Sequence, residues 1–558
     1  MRTTFIYDHY YRYEELCEKI NYFTEHFPGL CSAESICTTP EGRILYAVTL
    51  TNRETGAPET KPGFQIDGNT HAGEVTGSMA AMYAMDAFLT GYGKDETITR
   101  LLDTTTVYII PRISPDGAEA YLTTPYTVRS VNRVHNPKEG GIREEDLDQD
   151  GVIRMMRIPT PYGAWKLDEN GEMTLRKPGD AEGTFYDIYP EGVLEPYDGD
   201  ENLKRKRPDW SSDFNRNFPF GWFPENRQQG AGEYPLSNPE TRALADWVIS
   251  HPNIGAISTN HTSGGMILYP PGTRSEMTMS AADRKAFRQI AEEGKELLDY
   301  VILNLYDAYV TDKDHPDSGA FDDWCYETQG ILTYTIELWD LANKAGAPLK
   351  WGNERTDDPY DGINRFNACM KWVREHEPQD YLDWRPFRHE TFGDVGIGGF
   401  NYKFTQQNAP CDRLEELLDM VMRFYLRFVQ ALPKLCVEPL QVKACGEGLY
   451  EVTAVIGNTG YLPTFITDHA AELEIDKHVK VTLEGAEILS GKACTDAGNL
   501  SGYSRTVTGP FAYGNYSTMA NAPARKKLTW IVRAPAGTVI TVQAEQEKSG
   551  RVEASAVL

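Results

Sequence analysis

The sequence is short of positive charge. Its 558 residues carry 55 Lys and Arg against 82 Asp and Glu, a formal net charge of −27. Phosphate backbones are bound by basic surfaces, so this balance excludes nucleic acid as a main partner and argues equally against an anionic membrane surface. Long apolar runs are missing as well: no stretch nears the ~20 residues of a membrane span. The first ten residues lack the apolar core of a secretory signal. Cysteine is sparse, with nine residues at irregular positions and no Cys-x-x-Cys pair. That leaves neither a disulfide framework nor a thiolate metal site. Together these absences point to a reducing, cytoplasmic setting.

What the chain has is an ordinary globular composition, 40% apolar and 11% aromatic, in more residues than one core usually supports. Apolar strands at 63–67, 106–110, 256–260 and 332–338 alternate with helical stretches such as the Ala- and Met-rich run from Glu74 to Leu89. Buried strands separated by helices predict a mostly parallel α/β sheet. Between Val131 and Trp210 the periodicity fails, and Gly, Pro and charged residues dominate. This reads as an irregular insertion on the domain surface. Periodic apolar positions return from Asp412 to Leu432, a helix stopped by Pro433. Past Cys436 the texture turns to short alternating segments with no evident helix, the pattern of a β-sandwich. We therefore expect one domain over 1–435, with its insertion at about 131–210, and a second over 436–558.

The chemistry sits at strand ends. Hydrolytic zinc is commonly held by two His and one Glu with a position left for water. His71-Ala72-Gly73-Glu74 supplies two such ligands just after a buried strand and a Gly-Asn turn, where open α/β sheets build sites. His261 follows the apolar strand 256–258 in the same way. The pair alone is weak evidence, because His469-Ala470-Ala471-Glu472 repeats the spacing inside the β-region, where a structural role is expected. Two further features converge on the first copy. Asn215-Arg216 is suited to clamp a carboxylate. Glu337 lies in the apolar strand 332–338, a costly position unless the carboxylate is used or paired.

In this order the motifs resemble those of the zinc carboxypeptidases of the pancreatic A/B type. The similarity spans about residues 5–430 and rests on His71 to Glu74, Ser-Pro-Asp-Gly at 114–117, Asp-Phe-Asn-Arg-Asn at 213–217, Asn-His-Thr at 260–262, Leu-Tyr-Pro-Pro-Gly at 268–272, and Trp324 ahead of Glu337. The resemblance implies a mixed, mostly parallel sheet with helices on both faces, and an accessory β-domain. It implies one zinc ion on His71, Glu74 and His261, with Asp213 orienting His71. It implies a peptide substrate whose free terminal carboxylate is held by Asn215 and Arg216, with Glu337 as general base. The family's oxyanion arginine, counted on from Ser114, falls at Arg129, with Arg133 the nearest competitor.

Some positions depart from the family pattern. Its carboxylate-capping Tyr, counted back from Trp324, falls on His315. Either His315 takes that role, another Tyr does after a gap, or the cap is absent. Asp322, beside Asp323, falls at the base of the side-chain pocket, as in members that prefer terminal Arg or Lys. Within the insertion, Asp146, Asp148 and Asp150 before Gly151 match the start of a calcium loop, but Arg157 stands where a closing Glu belongs. Two other readings compete with a carboxypeptidase. One is a related zinc amidase acting on peptidoglycan stem peptides or acyl-amino acids; the other is an inactive binding protein.

Overall fold

The computed structural model describes residues 1–133, 140–195, 203–206, 210, 212–505 and 523–558. Its centre is an eight-stranded mixed sheet. In spatial order the strands are Cys31–Thr38, Ile44–Leu50, Thr106–Ile110, Gly63–Gly68, Ile254–Thr262, Leu332–Leu338, Met266–Tyr269 and Val301–Asn304. The four middle strands run parallel, as the continuous apolar runs predict.

Side-chain alternation sorts each strand between two cores. Val107 and Ile109 join a cluster with Val75, Met79, Leu414 and Val421, which lie on the helices Val75–Gly91 and Cys411–Val429. Tyr108 and Ile110 join another with Leu244, Trp247 and Trp324, from the helices Pro239–Ser250 and Phe321–Gln329. Helices thus cover both faces, the arrangement that lets a parallel sheet stay buried. Among the described residues no helix is long and apolar enough to cross a membrane.

One contact fixes the geometry at the sheet's carboxyl edge. The helix Val75–Gly91 is buried at every position from Val75 to Leu89, and its first turn lies directly on the neighbouring strands. A Cβ at Gly77 would stand 2.4 Å from the Asn260 carbonyl oxygen, and one at Gly68 would stand 2.3 Å from the Gly77 oxygen. No side chain fits at either point. A Gly77→Ala change would push the helix, and Glu74 at its start, away from the strand that carries His261.

The stretch expected to be irregular contains strands. Met155–Pro159, Tyr186–Pro190, Trp165–Leu167 and Met173–Leu175 build a six-stranded sheet together with Tyr381–His389 and Gly393–Phe400. Met156 and Ile158 share a small core with Val395. The insertion strands are three to five residues long, too short for their period to stand out, and the partner that joins Met155–Pro159 to the rest of the sheet, Gly393–Phe400, lies more than two hundred positions away in the chain.

The strands from Leu435 onward form two antiparallel sheets of five and four strands. Val452, Ile456 and Trp530 from one sheet share a core with Val481, Ile540 and Val542 from the other, the packing of a β-sandwich. A short helix, Asp468–Glu472, was not expected there. It carries the second His-x-x-Glu copy: His469 stacks on Tyr326 and sets Nε2 3.1 Å from Glu327. That pair therefore docks the sandwich on the α/β unit, as its structural reading requires.

Candidate active site

The site grows from three strand ends. After the strand Gly63–Gly68, Asn69 adopts a left-handed backbone (φ 63°) and donates through Nδ2 to the carbonyls of His71 and Ala72, at 2.7 and 3.0 Å. Asparagine tolerates that conformation through such local bonds. The turn aims His71 inward and delivers Glu74 to the start of the helix Val75–Gly91. His261 comes from the strand Ile254–Thr262, whose preceding Asn260 is pinned between the Asp67 carbonyl and the Tyr425 hydroxyl, each at 2.6 Å. Glu337 lies opposite His261 in the parallel register of the next strand.

Three donors converge here. His71 Nδ1 is 2.8 Å from Glu74 Oε1, His261 Nδ1 is 2.8 Å from Glu74 Oε2, and the two imidazole nitrogens are 3.1 Å apart. All three side chains are buried. Two imidazole nitrogens and a carboxylate turned on one another at these distances fit a divalent cation of zinc's ligand preference. The far nitrogen of His71 is 3.1 Å from Asp213 Oδ1, an outer carboxylate contact that fixes ring orientation.

The electrostatics follow from burial and close charges. Burial opposes the charge of Glu74, yet His71 and His261 hold its pKa well below the usual carboxylate range. Burial likewise opposes a charged His261, but Glu74 carries its pKa up to about 9. Glu337 is pushed up to about 8, first by burial and then by Glu74. Asp213, although buried, is held well below its ordinary value by Arg129 and His71.

Arg129 reaches this centre and Arg133 does not. Arg129 donates from Nε to Asp213 at 2.9 Å and lies 3.6 Å from Glu74. Arg133 is paired with Glu240 at 2.9 Å. A small cavity of about 70 Å³ is lined by His71, His261, Glu337, Arg129, Asn215 and Arg216, with Asp322, Asp323 and Tyr309 also in its wall. Asn215 is oriented by accepting from the Phe321 N–H at 2.8 Å. Asp322 accepts from the Thr335 hydroxyl at 2.7 Å. Burial and the neighbouring Asp322 raise the pKa of Asp323 well above the ordinary value.

His315 lies elsewhere. Its side chain is 72% exposed and paired with Asp312, so it does not meet the expectation of a capping group. Tyr309 stands in the cavity wall instead, stacked on Trp351 at 5.6 Å. Burial, followed by Glu337, raises its hydroxyl pKa to about 12. Counting back from Trp324 missed it because the loop between Tyr309 and that helix is longer than the offset assumes. The aromatic pair Tyr306 and Tyr309, ahead of an acidic loop, was the available signal. Asp317 was also missed. It forms a 2.9 Å ion pair with Arg216, and nothing in the local sequence marks it.

The turn that matched a calcium loop closes on protein donors. Asp146 accepts from the backbone N–H groups of Asp150 and Gly151, Asp148 pairs with Arg385, and Asp150 pairs with Arg154. Asp146 and Asp148 gather with Glu191 rather than with Asp150, and Glu191 itself accepts from the N–H groups of Leu147 and Arg154. These partners give calcium no support.

The family described as zinc carboxypeptidase matches residues 16–152 and 194–348, more than half of the chain, and a domain of unknown function (DUF8731) matches 434–557. Mouse Carboxypeptidase A1 is 22% identical over 60% of this chain, and the match spans 64% of that protein's length. Rat Carboxypeptidase A2 is 20% identical over 67% of this chain and 72% of its own. Among solved structures, thrombin activatable fibrinolysis inhibitor (TAFI) aligns at 15% identity with a TM-score of 0.43, covering 76% of this chain and 74% of the other.

Proposed function

The chain belongs to the zinc carboxypeptidase family, and on that footing we propose that it hydrolyses the last peptide bond of peptides bearing a free terminal carboxylate. One observation carries this reading: the donor atoms of His71, Glu74 and His261 converge within 4.8 Å, with Glu337 in register beside His261. Two imidazoles and one carboxylate form the ligand set of a hydrolytic zinc centre. Zinc held there by His71, Glu74 and His261 would supply a Lewis acid that lowers the pKa of water.

The protein's own groups do the rest. Glu337 takes the proton of the attacking water and returns it to the leaving amine. Arg129 offers a positive charge to the developing oxyanion. Asn215 and Arg216 grip the terminal carboxylate through an amide and a guanidinium, and Tyr309 closes over it in the role expected of a capping group. Fixing that end sets the last amide beside Glu337 and Arg129 and restricts attack to it. Asp213 holds His71 in one tautomer. Asp322 faces the terminal side chain and favours Arg or Lys there.

Metal analysis together with hydrolysis of peptides that differ only at the last residue tests this proposal. Protein purified without zinc, or zinc-loaded protein that releases no terminal amino acid, would overturn it. A second reading, a zinc amidase on stem peptides or acyl-amino acids, is favoured by the Arg216–Asp317 ion pair, which engages the guanidinium assigned to the terminal carboxylate. Faster release from an acyl-amino acid than from any peptide would select it.

A further inference from the structure

The helix Phe321–Gln329 reaches from the candidate site to the β-sandwich. Its first turn puts Asp322 and Asp323 in the wall of the small cavity. Its later residues Tyr326 and Glu327 meet the sandwich: His469 stacks on the Tyr326 ring with centroids 4.8 Å apart and brings Nε2 to 3.1 Å from Glu327 Oε2. Asp323 and Glu327 stand four residues apart, so they share one face of the helix, about 6 Å from each other along its axis. One short segment grips both carboxyl groups. The Gly272 N–H donates to Asp323 at 2.8 Å, and Arg274 donates to Glu327 from Nε at 2.8 Å and from Nη2 at 3.1 Å. Gly272 itself stands in the cavity wall.

The sandwich holds its end of this contact firmly. Thr467 donates to the Gly330 carbonyl at 2.8 Å, a partner for the terminus of the helix. Gly330 has a left-handed backbone (φ 61°), and a Cβ there would stand 2.4 Å from the Ala470 Cβ, so the short helix Asp468–Glu472 lies directly against it. Asp283 accepts from the N–H groups of Asp468 and His469 at 2.7 and 3.1 Å, which fixes the backbone that carries His469. Burial opposes the charge of Glu327, yet His469 and Arg274 hold its pKa below the ordinary value. Without His469 the carboxylate keeps Arg274 as its charged partner, and Tyr326 loses the ring stacked on it.

Resting on the carboxypeptidase reading, we infer that His469 is a positioning residue for the small cavity: from the sandwich it fixes Glu327, and through one helical turn and the segment 272–274 it fixes Asp322 and Asp323, which set the affinity for the substrate's last residue. The zinc ligands and Glu337 come from other elements, so the effect falls on substrate binding and not on the chemical step. The sandwich, which lies outside the zinc carboxypeptidase match, thereby takes part in choosing the substrate.

The test compares His469→Ala with Tyr461→Phe in the zinc-loaded full chain. Tyr461→Phe cuts a different sandwich contact, the 2.6 Å bond to Gln289, on a helix with no residue in the cavity wall. His469→Ala should raise KM for the best peptide substrate roughly tenfold and leave kcat within about twofold of the parent, the split expected when binding alone is lost. Hydrogen exchange at the Gly272 amide, read by mass spectrometry on the segment 268–274, should accelerate in the same variant because Asp323 is no longer held as its acceptor. Tyr461→Phe should change neither reading. If His469→Ala does not fold, His469→Phe, which keeps a ring on Tyr326 and removes the contact with Glu327, carries the same test. A KM or a Gly272 exchange rate unmoved by loss of His469, or moved equally by Tyr461→Phe, would overturn the inference and leave the activity standing. A parent protein that hydrolyses no peptide would remove the proposed activity, and the Gly272 exchange would still decide the positioning role.

Discussion

Arg216 and Asp317 form a 2.9 Å ion pair, and both side chains line the small cavity beside His71. Asp317 is an internal carboxylate held by the guanidinium that a substrate's terminal carboxylate would need. On the proposed function, binding of substrate would exchange one carboxylate for another.

Removing the internal competitor should tighten substrate. Asp317→Asn is expected to lower KM for peptides several-fold while leaving kcat close to that of the parent. Arg216→Ala should instead cut kcat/KM on the order of 100-fold, the scale expected when one partner of a buried charge pair is truncated. Steady-state kinetics on one peptide, with its amidated form as the control, reads both. A KM for Asp317→Asn that rises would show that Asp317 orients Arg216 rather than competing for it.

Glu337→Gln keeps the shape of the side chain and removes its basicity. Zinc content should stay at the parent value while kcat falls by ~10²–10⁴, the usual contribution of general acid–base catalysis. Metal analysis and turnover on the same sample check this together. Full activity in the Gln variant would remove Glu337 from the mechanism.

The His261–Glu74 pair makes the metal-free protein sensitive to pH. Burial disfavours a charged His261, but Glu74 lifts its pKa to about 9, above the ~6.5 of an unperturbed histidine. A group whose folded-state pKa is raised stabilises the fold fully below its unfolded pKa and loses that contribution as pH climbs through the folded value. The melting temperature of chelator-treated protein should thus fall as pH rises from about 6.5 to 9. Zinc requires the neutral imidazole, so over the same range its apparent affinity should increase and binding should release protons. Calorimetry in buffers of different ionisation heat measures that release; zinc uptake without it would contradict the assignment of His261 as a ligand.

Asp322 and Asp323 put two buried carboxyl groups in the wall of the small cavity. Peptides ending in Arg or Lys should be cleaved faster than those ending in Phe. Asp322→Ala should reduce that preference by about 100-fold, because it removes one side of a desolvated charge pair. A Phe preference in the parent protein would assign both carboxylates to structure alone.

Some of this molecule could be read directly from the amino-acid order. The strands 63–67, 106–110, 256–260 and 332–338 declare themselves by unbroken apolar runs, and these are the strands buried on both faces. His71, Glu74 and His261 were legible because each sits immediately after or within such a strand, so the local pattern already places it at the sheet's carboxyl edge. Choosing the first His-x-x-Glu copy over His469–Glu472 needed nothing beyond that context. The insertion was less legible. Its strand at 155–159 pairs on one side with 186–190 and on the other with residues 396–398, and no local period records a pairing at that distance.

Only the folded chain decided which residues meet around those three side chains. Offsets counted along the sequence assume a fixed loop length, yet lengthening a surface loop costs little, because closure entropy grows only slowly with the number of residues. Loops therefore drift in length while strand ends keep their positions. Asp317 met Arg216, and Tyr309 rather than His315 reached the cavity, because packing brings together residues whose separation in sequence has no bearing on their distance in space.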